Sequence, residues 1–418
     1  MKIAIIGAGI SGLVAAHKLK ENHQVVLYEA NDHIGGHTHT HEIHDGERTH
    51  PVDTGFIVFN DRTYPNFLSL LNELNVPYQK TKMGFSVNQQ GSQFAYAGTS
   101  LNALFADRRN LFSWPFWRML RDILRFNRHA LVDLDEQQSF GDYLLRANYS
   151  QYFIERYILP MGAAIWSSDP QMILDMPMQF FVRFFHNHGL LTVTQQPQWY
   201  VIRQGSKSYV DALMAQYNQR VVTGTPVRTV YRESAKIQVL TEKYGKESFD
   251  KVIFACHSDQ ALRLLAHPTE EEQTTLGAIP YQENTAILHT DTSLLPQQTR
   301  AWAAWNYQLN DIQGATLTYN MNILQSLNSN KTYCVTLNQL DRINPEKVIK
   351  VIQYDHPVFN ERSVSAQQRW SEISGKHHTH YCGAYWRWGF HEDGVVSALN
   401  VVRQIENGAK HAGLSDHI

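Results

Sequence analysis

A chain of 418 residues is long for one domain and comfortable for two that share a core. Hydrophobic residues make up 43% and charged residues 18%, an ordinary globular balance, and a net charge of −2 excludes the basic footprint of a nucleic-acid binder. The three cysteines, Cys256, Cys334 and Cys382, lie far apart without a C-x-x-C pair, which excludes a disulfide scaffold or structural zinc site and suits a reducing cytoplasm. Met1 leads directly into the first apolar run, and no run approaches the ~20 apolar residues that cross a bilayer, so neither signal peptide nor spanning helix is expected.

Lys2 to Ile6 reads as a buried parallel strand and is followed at once by Gly7-Ala8-Gly9-Ile10-Ser11-Gly12. In this G-x-G-x-x-G pattern Gly7 permits a tight turn, Gly9 lets backbone approach a pyrophosphate and Gly12 lets the next helix pack close. The spacing predicts a helix from about Ser11 to Glu21 and a strand from Val25 to Tyr28 ending at Glu29, with Ala30 beside it. An acid placed there can hold ribose hydroxyls, and the helix N-terminus favours the phosphates. Together these features predict a dinucleotide site.

Gly35-Gly36 begins six residues after Glu29. Acid followed by Gly-Gly resembles the extended FAD fingerprint of the amine oxidase, protoporphyrinogen oxidase and carotenoid desaturase superfamily. That resemblance implies FAD as cofactor and a Gly35-Gly36-His37-Thr38 wrap around its diphosphate, with His37 where an arginine is common. No second G-x-G-x-x-G follows, so electrons are not expected from NAD(P)H. His37, His39 and His41 alternate, with His44 and His50 beyond, and alternate strand residues share a face. Without C-x-x-C or H-E-x-x-H context the segment reads as a polar strand, and no metal is expected.

Pro51 to Phe59 resembles the superfamily strand that returns along the flavin, placing Gly55, Phe56 and Ile57 near the ring, though a plain buried strand reads equally well. A helix over Tyr64–Leu74 and a hairpin of Gly84–Val87 with Gln93–Ala97 follow. Ser113 and Pro115 open a helix running to about Leu131. It sets Phe116, Trp117, Leu120, Ile123, Leu124 and Leu131 on one broad face, beside Arg118, Arg121, Arg125 and Arg128. Residues 113–131 therefore suit either docking on the core or peripheral contact with a membrane. Ile158 to Ser167, Gln179 to Leu191, and Trp199-Tyr200 are apolar and aromatic without a catalytic pair, as in the wall of an apolar cavity.

Arg203 to Val210 resembles the superfamily turn that starts a helix beneath FAD, with Gln204 replacing one glycine. Strands are predicted over Thr225–Tyr231, Lys236–Thr241 and Lys251–Ala255, and the resemblance gives the Val227 backbone to the adenine. Adjacent residues of a strand face opposite ways, so Cys256 and His257 are not read as nucleophile and base. Further strands fall at Ala286–His289 and Tyr333–Leu337, in a region where amine oxidases carry a lysine near the flavin; Lys331 lies in a polar turn and does not match. Tyr381 to Ala398 resembles the C-terminal FAD signature, with Gly383 ending a strand and Asp393, Gly394, Val395 and Val396 opening a helix against the flavin.

The resemblance covers the whole chain and implies an α/β fold: a discontinuous Rossmann-like FAD-binding domain (1–80, 201–280, 375–418) with a mixed α+β substrate domain inserted (81–200, 281–374). PMGAAIWSSDP, FFHNHGLL and YWRWGFHEDG resemble, more narrowly, bacterial NAD/FAD-binding oxidoreductases akin to enzymes acting on methylated or unsaturated fatty acyl chains. The implied activity is dehydrogenation of an apolar, lipid-like substrate, with double-bond isomerisation, amine oxidation and a non-enzymatic docking protein as alternatives. Hydride transfer to flavin needs little acid–base equipment. Where a base is required, Tyr385, His391 and Glu392, with Arg387 beside them, are the candidates. The expected location is cytoplasmic, at the inner face of the membrane.

Overall fold

In the computed structural model, residues 1–134, 138–192, 196–309 and 315–415 are described, the side chains of 408–415 excepted; 135–137, 193–195, 310–314 and 416–418 lie outside the described residues. A five-stranded parallel sheet runs in the order Arg220–Val222, Gln24–Tyr28, Lys2–Ile6, Lys251–Phe254, Thr379–Tyr381. Its strands come from three separated stretches of the chain. Side chains alternate between its faces. Ile3 and Ile5 pack under the helices Ile10–Leu19 and His391–Ser415, while Ala4 and Ile6 pack beneath a three-stranded layer formed by Val227–Arg232, Ile237–Thr241 and Gly245–Phe249. Burial on both faces explains why the first strand reads as a continuous apolar run.

A seven-stranded sheet builds the second half of the molecule, in the order Val348–Pro357, Tyr281–His289, Cys334–Leu337, Leu317–Asn320, Trp305–Leu309, Phe85–Gln89, Ala95–Ala97. The parallel pairing of Phe85–Gln89 with Trp305–Leu309 ties two distant stretches into one sheet. Aromatic helices cover it: Phe116 and Phe126 of Trp114–His129, Phe140, Phe153 and Phe181 join one core, and Phe140 stacks on Phe181 at 3.9 Å. A small sheet of Val58–Asn60, Trp199–Ile202 and Tyr78–Thr81 lies between the halves, so one strand crosses the boundary drawn at residue 200.

The Trp114–His129 helix departs from its expected orientation. Met119 joins Phe116 and Phe126 in the core, whereas Trp117 and Leu124, expected on the docked face, are exposed. The reason is polar: Asp122 is buried and accepts hydrogen bonds from the Ser150 backbone N–H at 3.0 Å and hydroxyl at 2.6 Å. A buried carboxylate must be satisfied, and this pair fixes the rotation of the helix.

Asp53 ties the halves together. Its fully buried carboxylate accepts from the Ser206 N–H (2.9 Å) and hydroxyl (2.8 Å), the Thr40 hydroxyl and the Gln325 side-chain amide (2.9 Å). Burial pushes its pKa up to about 6, against the pull of these donors. Asp53→Ala strands several buried donors at once and is expected to cost ~3 kcal/mol or more. A thermal unfolding midpoint lowered by several degrees, with Thr40→Val much milder, is the expected result; unchanged midpoints for both contradict this role.

Candidate active site

One cavity of about 1250 Å³ runs through the molecule. It exceeds the ~300–1,000 Å³ of ordinary small-molecule pockets and has room for a large cofactor together with a substrate. At one end it is lined by Gly7, Gly9, Ile10 and Ser11, where the first strand turns into its helix, with Glu29, Gly35 and Gly36 alongside. A Cβ on Gly12 would lie 1.9 Å from the Gly7 carbonyl oxygen, so only glycine lets the helix close down on the turn. Gly35 donates its N–H to the Ala8 carbonyl at 2.9 Å, docking the second glycine pair onto the first. Glu29 accepts from the Ala8 and Asn31 N–H groups at 2.8 and 3.0 Å, which fixes its carboxylate beside that turn.

The middle of the cavity is walled by Gly55, Phe56 and Ile57 on one side and by Tyr354 and His356 on the other. Phe56 donates its N–H to the His37 carbonyl at 2.7 Å, and a Cβ on Gly55 would lie 2.1 Å from that oxygen, so the two segments cross only because residue 55 is glycine. The His37 ring lies 5.0 Å from Tyr354 and 5.3 Å from His356, and its buried Nε2 has no hydrogen-bond partner within the protein. The far end is aromatic, with Trp166, Phe184, Trp388 and Phe390 clustered together; Trp166 and Phe390 lie 4.8 and 5.0 Å from Phe184.

Fourteen of the expected cofactor residues line this one cavity: Gly7, Gly9, Ile10, Ser11, Glu29, Ala30, Gly35, Gly36, His37, Gly55, Phe56, Ile57, Val227 and Gly383. Six do not. Gly12 is the third residue of its helix, and Thr38 turns behind the wall to bond the Tyr209 hydroxyl at 2.6 Å. Asp393, Gly394, Val395 and Val396 are displaced because the last helix opens at His391 rather than Asp393. Gly389, Phe390 and His391 therefore bring its N-terminus to the cavity, while Gly394 packs against Ile10 and Ser11.

The expected catalytic residues have other employments. Glu392 accepts from Asn66 and Phe67 N–H groups at 3.0 and 2.8 Å, which caps the helix Pro65–Glu73 and takes it away from the cavity. His391 lies flat on Phe56 at 3.7 Å and shares its Nε2 with the Tyr209 hydroxyl at 2.7 Å. Burial pushes it down to about 3, too weak a base for proton transfer near neutrality. Tyr385 lines the cavity, but it packs with Phe254 and Tyr381 under the parallel sheet, on the dinucleotide side, and burial holds its phenol protonated. Arg387 lies 3.5 Å from Asp393. Lys331 is exposed and paired with Asp45 at 2.9 Å, and no lysine lines the cavity among the described residues.

The sequence places His188 only within the apolar Gln179–Leu191 wall, without a role of its own, and singles out neither Tyr354 nor His356. Ile352, Tyr354 and His356 alternate along one strand, a period-two signal that was available. His188 Nδ1 lies 3.0 Å from the Phe184 carbonyl, which can only accept, so Nδ1 carries the proton and Nε2 is the acceptor. His33 stacks on His39 at the same cavity, and His41 lies tilted 4.1 Å from His39, yet no group of three or more metal-ligating side chains converges among the described residues.

Comparison with known proteins decides the family. The profile described as flavin containing amine oxidoreductase matches residues 10–335, well over half of the chain. The chain belongs to this family. One relative, the "Putative flavin-containing monoamine oxidase AofH" of Mycobacterium tuberculosis, is 28% identical over 262 residues. That match covers 59% of this chain and 55% of the relative, so the chain spans about half the length of that curated relative. Two solved structures share the fold. A "Putative protoporphyrinogen oxidase" from Exiguobacterium has a TM-score of 0.71 at 16% identity, covering 97% of this chain and 99% of its own. A fatty acid isomerase from P. acnes, described as CLA-producing, has a TM-score of 0.67 at 12% identity, covering 96% and 98%.

Membership brings FAD as the cofactor, and the residues present fit it. Two helix N-termini open on the cavity, Glu29 is held where ribose hydroxyls would reach it, and the unpartnered Nε2 of His37 awaits a polar group.

Six rings of this cavity are held neutral by burial: His37 well below its usual range, His257 below it, His39, His188 and His356 down to about 4, and His391 to about 3. A ring depressed in the folded state contributes stability above pH ~6.5 that is lost as pH falls towards 4, roughly 3 kcal/mol per fully buried ring. Asp53 and Asp393, raised to about 6 and about 7, work the other way and favour the fold as pH falls. Six rings outweigh these two acids. The thermal midpoint is expected to drop steeply between pH 6.5 and 4, and a midpoint that rises in that window contradicts the assignment.

Proposed function

We propose that this family member is a FAD-dependent oxidoreductase that dehydrogenates a long apolar substrate, a fatty acyl chain. One observation carries the reading: a single cavity joins the dinucleotide cradle to a chamber walled by Trp166, Phe184, Trp388 and Phe390, with no lysine lining it among the described residues. FAD, when bound, supplies the two-electron acceptor. The chain's own part is binding, orientation and exclusion of water. Aromatic walls hold an alkyl chain by burial of apolar surface, about 25 cal/mol per Å², and keep water from the reacting carbon. Phe56 and Tyr354 line the same cavity as the aromatic chamber, so apolar surface runs from the cofactor end to the substrate end.

His188 is the polar exception in the chamber. Its neutral ring stacks on Phe184 at 3.8 Å and offers Nε2 as an acceptor, which suits orienting one hydroxyl of a substrate that is otherwise hydrocarbon. That no lysine among the described residues lines the cavity speaks against the amine-oxidising chemistry after which the family is named.

Purified holoprotein mixed anaerobically with acyl lipids tests the proposal. Dehydrogenation leaves the flavin bleached until an acceptor is added, and the lipid gains a double bond. Bleaching that reverses without an acceptor, with a migrated double bond, supports isomerisation instead. Bleaching by amines alone, with no response to lipid, overturns the acyl reading.

A further inference from the structure

The surface beside the apolar end of the cavity is built unlike the rest of the molecule. Residues 101–132 contain six arginines against two aspartates, with no lysine or glutamate, in a chain whose net charge is −2. Within this stretch Phe112 is 91% exposed, Leu101 78%, Trp114 67% and Trp117 46%. One exposed leucine is unremarked on any protein, but a contiguous patch with two tryptophans and a phenylalanine marks an interaction surface.

The patch is rigidly made. Ser113 caps the Trp114–His129 helix by accepting from the Phe116 N–H, and Pro115 sits in its first turn. Trp117 donates its indole N–H to the Leu111 carbonyl at 2.9 Å and its ring lies 5.5 Å from Phe105, so Leu111–Phe112 and the helix form one ridge. At 100° per residue Trp114, Trp117, Arg121, Leu124 and Arg128 fall within one arc of the helix. Both aspartates are spent inward: Asp107 pairs with Arg109 at 2.8 Å, and Asp122 is buried on Ser150. Arg121 and Arg128 remain outward as positive charge among aromatics.

From this we infer that the ridge of Leu101, Leu111, Phe112, Trp114 and Trp117 docks on the surface of an anionic phospholipid bilayer and opens the cavity towards it. Aromatic side chains settle at the interface between head groups and acyl chains, and guanidinium groups pair with lipid phosphates. Attachment is to the surface, because no helix among the described residues is long and apolar enough to cross. The ridge is continuous with the cavity: Leu104, Leu120 and Ile123 line it, and Leu124 both lines it and is 56% exposed. The docking surface stands on this geometry alone; its use as an entrance for acyl chains rests on the substrate proposed above.

Holoprotein sedimented with vesicles of phosphatidylglycerol, and separately of phosphatidylcholine, tests the inference without turnover. Binding to the anionic vesicles is expected, weakened by salt and weaker on phosphatidylcholine. Phe112→Ser with Trp114→Ser is expected to weaken it by about tenfold or more, and Arg121→Glu or Arg128→Glu by about fivefold each. None of these four residues lines the cavity, so retained flavin colour and unchanged turnover of detergent-dispersed substrate establish that the variants are folded. Failure of wild-type protein to bind phosphatidylglycerol vesicles, or equal binding by the Phe112→Ser/Trp114→Ser protein, overturns the inference. So does concentration-dependent self-association that the double variant abolishes while wild-type ignores vesicles, which assigns the ridge to a second copy of the chain. Vesicle binding with no lipid-driven flavin reduction leaves the surface standing and removes the acyl substrate.

Discussion

The Ser11 hydroxyl donates to the Gly394 carbonyl at 3.0 Å, and on this contact the rest of the architecture depends. It brings the N-termini of two helices, 383 residues apart in sequence, to the same point, and both termini open on one cavity. Each such end carries roughly half a positive charge, so their convergence is electrostatically costly until an anion lies between them. A bound dinucleotide, with its diphosphate on the first helix and its flavin facing the second, would meet that need. The cofactor is accordingly a structural element as well as a chemical one, because any ligand bound only by the folded chain stabilises it by mass action.

Around that junction the chain trades polar order for apolar space. Asp53 gathers donors from three segments, Glu29 fixes the first turn, Glu392 caps a neighbouring helix and Tyr209 holds His391. The carboxylates of Asp53, Glu29 and Glu392 are thereby committed to backbone or neighbouring groups, and none of them enters the chamber as a base. That distribution suits hydride chemistry, where positioning and dryness matter more than proton transfer. The histidines of the wall serve as neutral aromatic surfaces with one polar edge, packed on Phe56, Tyr354 and Phe184.

Much of the dinucleotide end was legible because its signals are local. Gly7, Gly9 and Gly12, Glu29 and Gly35-Gly36 report backbone constraints that act within a few residues, and the strand and helix over Lys2–Ile6 and Ile10–Leu19 follow from short-range patterning. The chamber was less legible, since its walls come from distant stretches that share only composition. His188, Tyr354 and His356 acquire meaning through neighbours that no spacing rule supplies. The rotation of the arginine helix is not legible in sequence for a related reason: its amphipathic pattern allows several rotations, and Asp122 meeting Ser150 selects one. The start of the last helix at His391 follows from Glu392 and Asp393 acting as partners of Asn66, Phe67 and Phe390, contacts invisible to a motif.

Hydrogen–deuterium exchange of the apoprotein and the FAD-loaded protein tests the central claim most directly. Protection gained together at residues 9–13 and 389–397 is expected, because one ligand quiets both helix termini and the contact between them. Protection confined to the N-terminal turn, with the C-terminal helix unaffected by FAD, contradicts a cavity closed by both ends of the chain.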